Sequence, residues 1–130
     1  MVSWRGPAPV NADGSPKTQH GLISLADMAG TVATLEPAVT YEYKGWTVGK
    51  CGPWSQGPVL LQCLALLKGF ELQKMEPDSP EFVHTVAEAI KLAFADRELY
   101  YADPDYVDVP LEALLSDEYN VRALRALRGV

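Results

Sequence analysis

The sequence predicts an α+β fold dominated by helix: an N-terminal β-hairpin followed by a small orthogonal bundle of about four helices. Three observations carry this. The segment VTYEYKGWTVGK alternates side chains about a Lys-Gly turn. VLLQCLALL is apolar almost all round, which marks a helix buried on most sides. SPEFVHTVAEAIKLAFADRELYY then opens on a cap and runs long with apolar residues at helical spacing.

The elements follow in chain order. Residues 1–20 are rich in Pro, Gly, Ser and Asn and read as a flexible N-terminal segment. Residues 21–130 read as a single domain. Ser24 caps a short helical turn, with Asp27 in that turn and Gly30 as its stop. TVATLEP is β-branched and reads as strand as far as Pro37. In the hairpin, Val39–Tyr43 pairs with Trp46–Lys50, placing Val39, Tyr41 and Tyr43 on one face. CGPWSQGP is a tight loop, and Ser55 can cap a helix entering at Gln56–Pro58. That helix runs to a stop near Gly69, with only Gln62 interrupting its apolar surface.

Ser79 caps the long helix, Pro80 takes its first position and Glu81 suits its positive end. Phe82, Val83, Val86, Ala89, Ile90, Ala93, Phe94 and Arg97 mark the apolar face up to about Tyr101, and Asp103-Pro104 ends the helix. A short helix is expected at Leu111–Leu115. Ser116 caps the last one, with acids at its start and Arg122, Arg125 and Arg128 towards its end.

Composition narrows the function classes. The 130 residues make at most one ordinary domain, able to bury about two-thirds of its unfolded surface. Hydrophobic residues at 48% and charged ones at 22% are a globular balance. A formal charge of −6 argues against nucleic acid as a partner, since that needs a basic surface. It also argues against an anionic membrane. The first residues hold no apolar run of the kind a secretory leader carries. If the stretch lies inside a longer reading frame, a leader would stand outside it, and the compartment is left open. Cys51 and Cys63 are too few for a disulfide scaffold and read as two unpaired, largely buried thiols.

The chemically suggestive groups each have a plainer reading. Glu88 reaches Lys91, and Asp96 with Tyr100 forms an i, i+4 pair, as on any helix surface. Glu88 and Asp96 stand eight residues apart, a rise of about 12 Å, too far for paired-carboxylate chemistry. Arg97 lays its stem on the core and is expected to pair with Asp103, Asp105 or Asp108. Those three acids have Pro104 among them and no glycine, which does not suit a calcium loop. Ser55 in GPWSQG does not fit the G-x-S-x-G elbow, and His84 is a lone helical histidine. No catalytic, cofactor-binding or metal-ligating residue is assigned.

As a whole the chain resembles the large subunit of γ-glutamyltransferases. ISLADMAGTVATLEPAVTYEYKGWTV carries the family's D-L-A, E-P-v and Y-r-G-y-t-V pattern at Leu25, Ala26, Asp27, Glu36, Pro37, Tyr43, Gly45 and Val48. EAIKLAFADRELYYADPDYVDVPLEALLSDEY is similar to the family's EAmKlAfADR, DPdfv-vP and LlS-x-Y run. Resemblance spans roughly Gly21 to Arg128. One departure is CGPWSQGP, where many members have P-P-P-S-S-G-G. The resemblance implies an N-terminal-nucleophile hydrolase whose precursor cleaves itself before a threonine. The freed threonine attacks a γ-glutamyl amide, using its own amine as base, and passes the acyl group to water or to an amino-acid or peptide acceptor. That threonine, the oxyanion glycines and the carboxylate-gripping arginine of the family match no position here. Thr18, Thr31, Thr34, Thr40, Thr47 and Thr85 do not fit the processing motif. The resemblance therefore implies an interior segment, inactive alone, whose partners are the remainder of the parent polypeptide. Self-association of the isolated segment is expected from uncovered apolar surface. A freestanding helical interaction module and a small hydrolase using Ser55 and His84 are the competing readings.

Overall fold

The structure is a computed structural model and describes residues 10–15 and 23–128, with side chains described through residue 125. Two compact units are present, residues 1–34 and residues 35–130. In the first, Asn11 to Ser15 form a tight turn closed by Asn11 N–H to the Ser15 carbonyl at 2.8 Å. Helix α1 (Leu25–Gly30) opens on a reciprocal capping box. Ser24 Oγ accepts from the Asp27 amide at 3.2 Å, and the Asp27 carboxylate accepts from the Ser24 amide at 2.7 Å. The rest of the segment read as flexible, residues 1–9 and 16–20, lies outside the described residues.

In the second unit, strands β1 (Val39–Tyr43) and β2 (Trp46–Lys50) pair antiparallel in the expected register, Val39 opposite Lys50 and Tyr43 opposite Trp46. Lys44 and Gly45 both take positive φ, the two-residue turn that matches strand twist. The expected strand over TVATLEP is not formed: residues 31–38 carry no regular structure. β-propensity acts only where a neighbouring strand and a face to bury exist, and Leu35 is fully exposed.

Helix α2 (Gly57–Leu67) is the centre of this unit. Strands β1 and β2 and helices α3 (Pro80–Tyr100), α4 (Leu111–Leu115) and α5 (Asp117–Arg128) all pack against it. Leu61 and Leu66 are fully buried on it. Val59, Cys63, Leu66 and Leu67 form the core with Ala89 and Ala93 of α3. The two alanines let the α2 and α3 backbones come close. A 3-10 turn at Leu72–Lys74, not anticipated from sequence, links α2 to the Ser79 cap of α3. Ser79 Oγ accepts from the Phe82 amide at 3.1 Å, and Ser116 Oγ from the Tyr119 amide at 3.2 Å. No described helix is long and apolar enough to cross a membrane.

The apolar face of α3 is wider than the strip that α2 covers. Thr85, Ala89 and Ala93 are buried, whereas Val83, Ile90 and Phe94 are exposed along the neighbouring flank. Helical spacing grouped Val83, Ile90 and Phe94 with Ala89 and Ala93 and did not single out Thr85, but the width of the covered strip is set by the partner helix. The two thiols also part company. Cys63 is buried, and desolvation pushes its thiol up to about 11. Cys51, the first residue after β2, is exposed.

One polar lock ties hairpin to bundle. Tyr41 Oη donates to Asp117 Oδ1 at 2.7 Å, and Lys68 Nζ lies 2.5 Å from Asp117 Oδ2 and 5.6 Å from the Tyr41 ring centre. Burial first, then the Asp117 bond, pushes the Tyr41 phenol up to about 12 from 10.0. The folded chain thus holds this proton more tightly than the unfolded chain. The resulting stability is complete below pH 10 and is lost as pH rises towards 12. Urea unfolding of Tyr41→Phe beside the parent chain, below pH 10 and near pH 12, should show a shallower alkaline loss in the variant. Equal slopes would assign the loss to other groups.

Candidate functional site

The loop between β2 and α2 and the C-terminal end of α3 flank a half-open cavity of about 340 Å³. Trp54, Ser55 and Gln56 line one side, and Arg97, Tyr101 and Asp103 line the other. The loop is held by its own backbone. Ser55 N–H and Oγ both donate to the Gly52 carbonyl, at 3.0 and 2.9 Å, and Ser55 Oγ accepts from Gly57 N–H at 3.0 Å. Ser55 therefore satisfies an amide at the start of α2, close to the expected capping role. Gly57 is required there: a β-carbon would meet the Cys51 carbonyl at 2.6 Å. The Trp54 indole lies over Gly52, and its Nε1 donates to Glu36 Oε2 at 2.8 Å.

Behind the cavity wall is a partly buried polar network centred on Gln62. Gln62, 1% exposed, donates from Nε2 to Asp96 Oδ2 at 2.5 Å. Asp96 Oδ1 accepts from Tyr119 Oη at 2.8 Å, and Gln62 Oε1 accepts from Tyr101 Oη at 3.0 Å. Burial, then the nearby Asp96 charge, pushes the Tyr101 phenol up. Burial, then the Asp96 bond, pushes Tyr119 up to about 12. Both phenols are thus neutral donors at physiological pH, and α2, α3 and α5 are joined through one carboxylate.

The residues singled out from sequence are dispersed. Glu88 pairs with Lys91 at 2.7 Å, as expected. Asp96 turns inward to Gln62 and Tyr119 rather than pairing with Tyr100, because a buried amide on α2 needs an acceptor. Arg97 pairs with Glu98 and lies 5.8 Å from the Phe94 ring centre, not against Asp103, Asp105 or Asp108. Asp103 instead closes its own turn by accepting from the Asp105 amide at 3.0 Å. Among the described residues no three His, Cys, Asp or Glu side chains converge on a metal-sized space. His84 is exposed and stands 13 residues before Arg97 on α3, a rise of about 20 Å from the end of the helix that faces Ser55. The structure does not bring Ser55 and His84 together. Sequence reasoning missed Gln62, Tyr101, Tyr119 and the Glu36–Trp54 bond. Only Gln62 carried a signal, as the one polar residue of an otherwise apolar helix.

The gamma-glutamyltranspeptidase family model matches residues 10–127. The chain belongs to that family. It is 37% identical over 100 residues to the acylase ACY 1 proenzyme of Pseudomonas sp. (strain SE83), covering 76% of this chain and 18% of that protein. It is 36% identical over 100 residues to the glutathione hydrolase proenzyme of Escherichia coli (strain K12), covering 76% and 17%. Among solved structures, the gamma-glutamyltranspeptidase of Helicobacter pylori superposes with a TM-score of 0.76 at 28% identity, over 82% of this chain and 31% of that chain. The chain thus spans about a fifth of the length of the curated relatives it matches. In this member of the γ-glutamyltranspeptidase family, the Trp54 loop and Arg97 near the end of α3 meet at one cavity.

Proposed function

We propose that this chain is a scaffold segment of an N-terminal-nucleophile amidase that cleaves γ-glutamyl amides and passes the acyl group to water or to an amino-acid or peptide acceptor. The nucleophilic threonine, freed by self-cleavage of the precursor, belongs to the parent outside these 130 residues, and the segment alone is inactive. The observation that carries this reading is the occupancy of its polar groups. Ser55 Oγ is spent on Gly52 and Gly57, Asp96 on Gln62 and Tyr119, and His84 stands at the far end of α3. None is left as a base beside a nucleophile. The rest of the parent is the partner assigned to the exposed Val83, Ile90 and Phe94 flank, and in the isolated segment that flank favours self-association.

A second reading is favoured by Trp54. A large ring in a loop that is small and serine-rich in many relatives reshapes the cavity, and the similarity to an acylase proenzyme suits a different amide. One experiment serves both. The 130-residue chain and the reading frame that contains it are assayed with γ-glutamyl-p-nitroanilide and with simple N-acyl amides. The chain alone should give background rates, and the longer frame should process itself and turn over the γ-glutamyl substrate. Turnover of acyl amides alone by the longer frame selects the acylase reading. Enzymatic turnover by the 130-residue chain overturns the scaffold assignment.

A further inference from the structure

We propose that the cavity between the Trp54 loop and the end of α3 binds a small free monocarboxylate carrying an apolar group, with Arg97 gripping the carboxylate. Most polar groups around the cavity are already committed. Ser55 Oγ both donates and accepts within its loop, and Tyr101 Oη donates to Gln62. Arg97 is different. Its guanidinium is placed by the Phe94 ring at 5.8 Å, and its one ion-pair partner among the described residues is the adjacent Glu98 through Nη1. The Glu98 side chain is 71% exposed, so this is a solvent-screened pair between chain neighbours, of the kind that contributes little. A ligand carboxylate engaging two guanidinium N–H groups at once displaces it readily.

The rest of the wall selects the ligand. Beside Ser55 and Gln56, Pro53 and Trp54 supply the apolar part of the facing wall, room for one small hydrocarbon or aromatic group. Glu98 and Asp103 line the same side as Arg97, so the guanidinium can answer one ligand carboxylate while a second negative charge meets only acids, which favours a monoanion over phosphate or a dicarboxylate. At about 340 Å³ the cavity suits a free small acid rather than a folded peptide terminus.

Phenylacetate titrated into the 130-residue chain, followed by the Trp54 indole N–H resonance (assigned with Trp54→Phe), should give a saturable shift. Phenylacetamide, which lacks the charge, and inorganic phosphate should not. Arg97→Gln should weaken phenylacetate binding about tenfold or more. Glu98→Gln removes the competing carboxylate at an exposed position and should tighten binding about twofold to fivefold. Circular dichroism checks that both variants stay folded. No saturable shift, equal binding of the neutral amide, unchanged binding in Arg97→Gln, or weaker binding in Glu98→Gln each overturns the site. Binding is read without turnover, so a negative result here leaves the proposed parent reaction untouched.

Discussion

Leu66→Ala should lower the unfolding free energy by about 2–5 kcal/mol, the range for truncating a fully buried leucine. Leu66 is 0% exposed and lies in the core cluster with Val59, Cys63, Ala89 and Ala93. It stands on α2, against which both strands and helices α3, α4 and α5 pack, so no single neighbour can shift to fill the space without leaving another. Leu60, on the same helix but 45% exposed, is the control. Leu60→Ala should stay within about 0.5 kcal/mol of the parent chain. Urea unfolding reads both as a change of midpoint at constant slope. Equal losses for the two leucines would mean that α2 is not the centre of the core.

Asp96→Ala should cost about 1.5–3 kcal/mol, the range for losing hydrogen bonds to a charged group. It strands the Gln62 amide, buried at 1% exposure, and frees the Tyr119 hydroxyl in the same step. Asp96→Asn should cost less. Its carbonyl can still accept from Gln62, while its amide donates to a rotated Tyr119 hydroxyl. Tyr119→Phe removes one bond only and should fall between the parent chain and Asp96→Ala. If Asp96→Asn is as damaging as Asp96→Ala, the charge rather than the bonding pattern holds the three helices. If Gln62→Leu combined with Asp96→Leu is better tolerated than Asp96→Ala alone, the cost lies in stranding a buried group rather than in losing the network.

Much of this architecture was legible because it is local. The Lys-Gly turn, the Ser24, Ser79 and Ser116 caps and the period of α3 are decided within a few residues of themselves. Glu88 with Lys91 is equally local, three residues apart on one helix. The strand expected over TVATLEP failed for the complementary reason: a strand needs a partner, and propensity does not supply one. Arg97 failed in the same way. Its type and place promised an acidic partner, and three acids followed it, yet Asp103 was already committed to the turn that ends the helix.

By itself, the sequence determined where helices begin, where the hairpin turns, that α2 must be buried and which family the chain resembles, since each depends on residue type at short spacing. The tertiary structure alone decided which flank of α3 is covered, that Asp96 of α3 faces Gln62 of α2, and that the Trp54 loop meets Arg97 around a cavity. Those outcomes join residues far apart in the chain, Gln62 with Asp96 at 34 positions and Trp54 with Arg97 at 43, or depend on which neighbour arrives first, and spacing along one chain carries no record of distance across the fold.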